Sequence, residues 1–514
     1  MEGIKGMARF TRREFIKGAG GFVSAAALSP MLQSALKAEN ERFNILFMMT
    51  DQHHHSVLGC AGNPVVKTPN LDKLASQGAR FTNAVCATPF CSPTRASLMT
   101  GLWPHTHGIV QNIEDEKLGL KDDVQATEQL LFDKGYETFQ MGKWHLGDIK
   151  RLRCYRKERE KVSVYKQFLD SIAKEQWHQP REGDVRIGDV CFAPQMVPFH
   201  NVWKDDKRRT GQDLSIVGRS LIPPGDQYES WLADRCIELI RDYGNENFMI
   251  TYSVSPPHAL WTVPDPYYSM YDPKKMPLPP TWPNLPPDVY KESQPARLGA
   301  GMGEAGVRET LRCYYGQVTM MDWCMGRILD ALAQQDLERD TLVVFLSDHG
   351  DMQGGHHMVD KALPAFYDEI IRVPMIVRYP RAIKPGTIIN THANSIDVMP
   401  TLMDFAEQPC PKGVQGVSLR PLLEGKTKDD DRPAFCERGY AGPPAGRMIR
   451  TKRWKYTVFG KQRREMFDLQ EDPGELNNLA DDPSCRKVVA GLHERLRLQM
   501  ERTSDPARDV LPAE

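Results

Sequence analysis

Three short apolar runs, far apart in the chain, each stop at a polar cluster. This repeated junction limits the folds open to the sequence. Asn44-Ile45-Leu46-Phe47-Met48-Met49 ends in Thr50-Asp51-Gln52, residues 248–254 end in Ser255-Pro256-Pro257-His258, and Leu342-Val343-Val344-Phe345-Leu346 ends in Ser347-Asp348-His349-Gly350. Each run has strand length and is apolar without alternation, which suits a strand covered on both faces. Helical spacing lies between them. Leu71, Leu74 and Ala75 share one face of residues 70–77, with Gly78 as a stop, and residues 228–243 and 313–332 repeat the pattern. The alternation predicts an α/β fold with a central, mostly parallel sheet flanked by helices. Such sheets form their ligand crevice beyond the carboxyl ends of the strands, so the three junctions are predicted to converge on one site.

The chain has 514 residues, enough for one large domain and a smaller one. The boundary is placed between Pro421 and Pro433, giving a large domain over residues 42–427 and a smaller one over 428–514. Residues 447–459 and 466–469 read as short strands and residues 488–500 as a closing helix. Residues 151–219 are charged without periodicity and read as an insertion; residues 264–287 are Pro-rich and read as a surface loop. Lys and Arg number 66 against 67 Asp and Glu, for a net charge of −1, which argues against a nucleic-acid partner. Thr11-Arg12-Arg13-Glu14-Phe15-Ile16-Lys17 is a twin-arginine pattern, followed by a mild Gly- and Ala-rich run too short to span a membrane. Residues 1–38 are therefore read as a removed signal. It implies export by the twin-arginine translocation machinery to a bacterial periplasm, with no integral membrane segment after processing.

Chemistry concentrates in Cys91-Ser92-Pro93-Thr94-Arg95, continuing Ala96-Ser97-Leu98-Met99-Thr100-Gly101. A thiol, a rigid proline and a fixed cation lie within five positions, at the start of a helix-like run whose N-terminus favours anions. Asp51, Gln52, Asp348 and His349 form a candidate metal site: clustered oxygen donors select hard divalent cations, and one imidazole admits Mn²⁺ or Zn²⁺ beside Ca²⁺. Gly142-Lys143-Trp144-His145-Leu146-Gly147 and the stretch from Gly354-Gly355-His356-His357 to Lys361 add cations and imidazoles. His53-His54-His55 is read as a solvated loop with no assigned role.

Residues 91–101, and further blocks between residues 44 and 480, resemble the formylglycine-dependent sulfatases of the alkaline phosphatase superfamily. The resemblance implies a large alkaline-phosphatase-like domain and a small C-terminal domain with an antiparallel sheet and a helix. It implies that Cys91 is converted to formylglycine by a maturation enzyme and that one divalent metal is bound at Asp51, Gln52, Asp348 and His349, Ca²⁺ being the expected ion. It implies roles as well. A hydroxyl of the hydrated aldehyde, activated by Asp348, attacks sulfur, with Arg95 in support. Lys143, Lys361 and His258 contact the sulfate and leaving group, and His258 gives the proton. His145 helps the second hydroxyl expel sulfate, and His356 touches substrate. The expected activity is hydrolysis of a sulfate ester of a small molecule or saccharide. Many members carry Asp-Asp where Asp51-Gln52 stands and Asn where His349 stands. The Gln and His variants also occur among phosphonate and phosphate diester hydrolases, which keeps that activity open. A sulfated-glycan binding protein with unmodified Cys91 is the non-enzymatic alternative. Conversion of one of the eleven Cys leaves ten, which permits disulfides without identifying a pair.

Overall fold

β1 (Asn44–Asp51) is buried along its whole length, and its side chains sort by parity. Leu46 and Met48 enter one core; Ile45, Phe47 and Met49 enter another. Successive side chains of a strand point to opposite faces, so an unbroken apolar run serves two cores at once. This computed structural model describes residues 43–113, 119–147, 171, 178–181, 185–187, 190–192, 217–361, 365–428, 431–439, 445–460 and 463–510. The twin-arginine pattern lies outside the described residues.

The remaining strands are β2 (Ala79–Val85), β3 (Glu137–Gly142), β4 (Val185–Ile187), β5 (Val190–Phe192), β6 (Val217–Ser220), β7 (Phe248–Pro257), β8 (Trp261–Pro264), β9 (Thr341–Ser347), β10 (Arg372–Arg378), β11 (Thr387–Ile389), β12 (Ala393–Asn394), β13 (Ala434–Arg438), β14 (Gly446–Arg450), β15 (Trp454–Phe459) and β16 (Arg463–Asp468). The main sheet runs β11-β2-β10-β9-β1-β7-β3, with β12 also on β2. β9, β1, β7 and β3 are successive parallel neighbours, whereas β10 is antiparallel to both β9 and β2. The fold is therefore the expected α/β architecture. Helices Pro69–Gln77, Tyr228–Tyr243 and Gln294–Gln334 cover the face that takes Leu46 and Met48; helices Cys91–Thr100 and Val398–Phe405 cover the other.

Three local readings are corrected. The helix expected over residues 313–332 spans Gln294–Gln334 in two segments broken at Gly303 (φ 59°, ψ −176°). The Ser293 side chain accepts from Ala296 N and Pro295 occupies the first turn, a start signal masked by the glycines that follow. Residues 447–459 are two antiparallel strands, β14 and β15, because Thr451 and Trp454 close a tight turn between them. β13 adds an unexpected edge to give the sheet β13-β14-β15-β16, closed by helix Arg486–Arg502. Within the insertion, β4, β5 and β6 form a small sheet with β8. Among the described residues, Cys60, Cys86, Cys91, Cys236, Cys313, Cys324, Cys410, Cys436 and Cys485 form no disulfide. No helix among the described residues is long and apolar enough to cross a membrane.

Candidate active site

The four adjacent parallel strands end on the same side of the sheet, and each delivers chemistry there. β1 ends in Asp51 and is followed by Gln52, β9 is followed by Asp348 and His349, β7 by His258, and β3 by Lys143. Gly142 makes the last turn possible: its φ is 88°, and a Cβ would lie 2.0 Å from Ser253 O. Cys91 is the first residue of the helix Cys91–Thr100, every residue of which is buried. Its Sγ lies 3.1 Å from His349 Nε2, 3.7 Å from Asp51 Oδ1 and 4.0 Å from Lys361 Nζ.

Arg95, one turn along the same helix and 1% exposed, ties the strands together. Its Nε donates to Asp348 Oδ2 at 2.8 Å, Nη2 to Asp51 Oδ2 at 3.0 Å, and Nη1 to Lys143 O and Ser253 Oγ at 2.9 and 2.8 Å. A planar guanidinium fits this multi-point role as an ammonium could not. Lys143 Nζ lies 2.5 Å from Asp51 Oδ2. Lys361, from the β9–β10 connection, contacts Gln52 Oε1 at 3.2 Å and His258 Nε2 at 2.8 Å. His258 Nδ1 donates to Ala259 O at 2.6 Å, which leaves Nε2 to accept from Lys361.

The electrostatics are mutual. Burial alone would raise the Asp51 carboxyl, but Lys143, His258, Arg95 and His349 outweigh it and hold Asp51 well below the usual carboxylate range. Burial also opposes ionisation of Cys91, and so does Asp51; Lys361, Lys143 and His349 prevail and bring the thiol well below its ordinary value. His349 is driven up to about 10: burial opposes its charge, and Cys91, Asp348 and Asp51 overcome burial. Asp348 shifts upward through burial and the neighbouring Asp51 charge. Fixed cations thus surround Cys91 Sγ, an arrangement that favours an anionic ligand.

The donor set fits a divalent cation. Asp51, Cys91, Asp348 and His349 each offer a buried ligand atom within 4.8 Å of the others, and Gln52 Oε1 adjoins them through Lys361. A second group of comparable spacing, His105, Glu437 and Asp505, is already charge-matched. Glu437 accepts from His105 N and Nδ1 at 2.7 Å, and Asp505 takes Arg447 Nε and Nη2 at 2.5 and 2.7 Å.

Of the expected residues, Asp51, Gln52, Cys91, Arg95, Lys143, His258, Asp348, His349 and Lys361 come together. Neither His145 nor His356 is hydrogen-bonded or ion-paired to this group among the described residues. His145 is half-buried at φ 61°, with Nδ1 lacking a hydrogen-bond partner. His356 is 2% exposed, stacked on Tyr367 with ring centroids 3.9 Å apart, its Nε2 3.9 Å from Glu369. The solvated reading of His53-His54-His55 is corrected. His53 is 1% exposed, bonded to Thr50 Oγ1 and Val57 O and set edge-on to Phe345. Sequence reasoning missed Ser253, Tyr314, Asp351 and Asp360. The last two flank the Asp348-His349 and Lys361 motifs, and that adjacency was the available signal.

The chain belongs to the sulfatase family, the sulfuric ester hydrolases: the sulfatase family model matches residues 43–408, and a second model, N-sulphoglucosamine sulphohydrolase C-terminal, matches residues 354–502. It is 29% identical to an ulvan-active sulfatase of Formosa agariphila, over 90% of this chain and 82% of that protein. It is 28% identical to an N-acetylglucosamine-6-O-sulfatase of Bacteroides thetaiotaomicron, over 86% and 83%. A phosphonate monoester hydrolase from Silicibacter pomeroyi shares the fold, with a TM-score of 0.73, 24% identity and coverage of 91% and 96%.

Proposed function

We propose that this protein hydrolyses sulfate esters of a carbohydrate, with residue 91 as nucleophile after conversion of Cys91 to formylglycine by a maturation enzyme. The observation that carries the reading is the setting of Cys91 Sγ, within 4.0 Å of Lys361 and 3.1 Å of His349 at a buried helix start. The sulfated-sugar part rests on the ulvan-active and N-acetylglucosamine-6-O-sulfatase relatives.

Asp51, Gln52, Asp348 and His349 would hold one divalent cation, Ca²⁺ by the oxygen-rich donor set, which would supply Lewis acidity toward the sulfuryl oxygens. The remaining roles fall to side chains. Arg95 fixes Asp51 and Asp348 in register. Lys143 and Lys361 face the charge on the transferring group, where each fixed cation contributes a few kcal/mol. His258, whose Nε2 accepts from the Lys361 ammonium, takes that proton and delivers it to the leaving oxygen. Asp348 takes the proton of the attacking hydroxyl, and His145 helps the second hydroxyl release sulfate. His356 is assigned to substrate contact in the same reading. Residues 42–427 form the catalytic domain, residues 428–514 the C-terminal subdomain, and residues 1–38 a twin-arginine signal for the periplasm.

Gln52 and His349, where many sulfatases carry Asp and Asn, favour a second reading: a phosphonate or phosphate diester hydrolase with the same nucleophile. Turnover of defined sulfated saccharides, an aryl sulfate and an aryl phosphodiester by matured protein separates the two. Faster hydrolysis of the sulfate esters is expected; a wide preference for phosphorus esters overturns the first reading. The mass of the proteolytic peptide carrying residue 91 tests the nucleophile, and an intact thiol in active protein removes formylglycine from the account.

A further inference from the structure

Gln52 is held at every polar atom. Its backbone N donates to Asp348 Oδ1 at 3.1 Å, and its carbonyl accepts from Tyr314 Oη at 2.6 Å. Its side-chain Nε2 donates to Asp351 Oδ2 at 2.5 Å and to Asp360 Oδ1 at 2.7 Å. All of these partners are buried. Gln52 and Asp360 both adopt left-handed backbone, at φ 63° and 74°. Non-glycine residues occupy that region only when their surroundings impose it, and here both ends of one hydrogen bond do so. Asp351 is fixed in turn by Gln353 N, which donates to its Oδ1 at 2.7 Å.

An amide has two N–H bonds and one oxygen with lone pairs. Two carboxylates consume both N–H bonds, so the oxygen can point only away from them, toward Lys361 and the donor set. Their negative charge also polarises the amide and enriches its oxygen. We propose that Asp351 and Asp360 are paired positioning residues that aim Gln52 Oε1 into the cation site and let a neutral side chain serve where a carboxylate would otherwise be needed. The inference rests on the cation site of the proposed function and adds the two residues that orient one of its ligands. Such outer partners commonly govern metal affinity by about 10- to 100-fold.

The test is direct titration of Ca²⁺ and of Mn²⁺ into the chelator-stripped full chain, followed by calorimetry, with the melting curve of each stripped variant as a check on folding. Asp351→Asn and Asp360→Asn preserve shape, remove charge and are expected to weaken binding by about tenfold or more each. Gln52→Glu is the sharper variant. It adds a negative charge to a cation site, yet it turns an oxygen toward two carboxylates. It is expected to lose affinity by a similar factor, and Gln52→Glu combined with both Asn substitutions is expected to recover it, because the new amides donate to the new carboxylate. Tighter or equal binding by Gln52→Glu alone, or no recovery in the triple variant, overturns the clamp while leaving the cation site intact. Failure of the unaltered chain to bind either cation defeats the site itself, and the clamp with it.

Discussion

At the scale of single residues, Arg95 shows how one side chain can be both scaffold and electrostatic partner. It is buried against two carboxylates, and its Nη1 hydrogens are taken by Lys143 O and Ser253 Oγ. Arg95→Ala leaves Asp51 and Asp348 buried without their shared counter-charge and is expected to cost about 3–5 kcal/mol, measured by urea denaturation of the stripped protein. Cys91→Ala is different, since the thiol is small and its neighbours stay paired. It is expected to abolish turnover while cation binding and the melting curve survive; loss of folding would make Cys91 a packing residue. His258→Ala is expected to slow esters with poor leaving groups by about 10²–10⁴-fold and activated aryl esters much less. Equal losses on both would remove the proton-donor role.

At the scale of elements, the strands that carry the site were readable because burial on both faces erases alternation: β1, β7 and β9 stand out as continuous apolar runs. The helices Pro69–Gln77 and Tyr228–Tyr243 were equally plain, with one apolar stripe and, for the first, a glycine stop. The turn between β14 and β15 was not, because it depends on Thr451 bonding to Trp454 rather than on glycine or proline. The Gln52 clamp was invisible for another reason. Its partners are 299 and 308 residues away, and no local pattern encodes such a contact. The helical turn Pro104–His107 gives a pH-dependent example of long-range docking. His105 donates from both ring nitrogens, to Glu437 of β13 at 2.7 Å and to Thr503 O beyond the closing helix at 3.1 Å. Burial opposes protonation, but the Glu437 and Asp505 carboxylates win and raise its pKa above 6.5. A raised value in the folded state means the stabilisation is complete below about pH 6.5 and is lost as pH climbs through the folded value. His105→Asn is therefore expected to lower the melting temperature more at pH 6 than at pH 9, and equal gaps at both would refute the ion pair.

Across the whole molecule, the small sheet is fastened to the large one by buried charge as well as by apolar contact. Asp368 accepts from Arg450 Nε and Nη2 at 3.0 and 2.7 Å and from Lys455 Nζ at 3.0 Å, while Lys455 also bonds Phe366 O and pairs with Glu475. Lys455→Met removes one cation from this closed network and is expected to cost about 3–5 kcal/mol in denaturation of the full chain. A change below about 1 kcal/mol, the scale of an exposed pair, would show that the two sheets do not depend on it. The helix Cys91–Thr100 is buried at every residue, which bears on the conversion proposed for Cys91. The thiol has no exposed surface and the helix behind it almost none, so a catalyst as bulky as an enzyme has nothing to grasp once the chain has collapsed. Under the formylglycine reading proposed above, that oxidation would have to precede collapse of the chain, and a molecule that folded first would be well formed but silent.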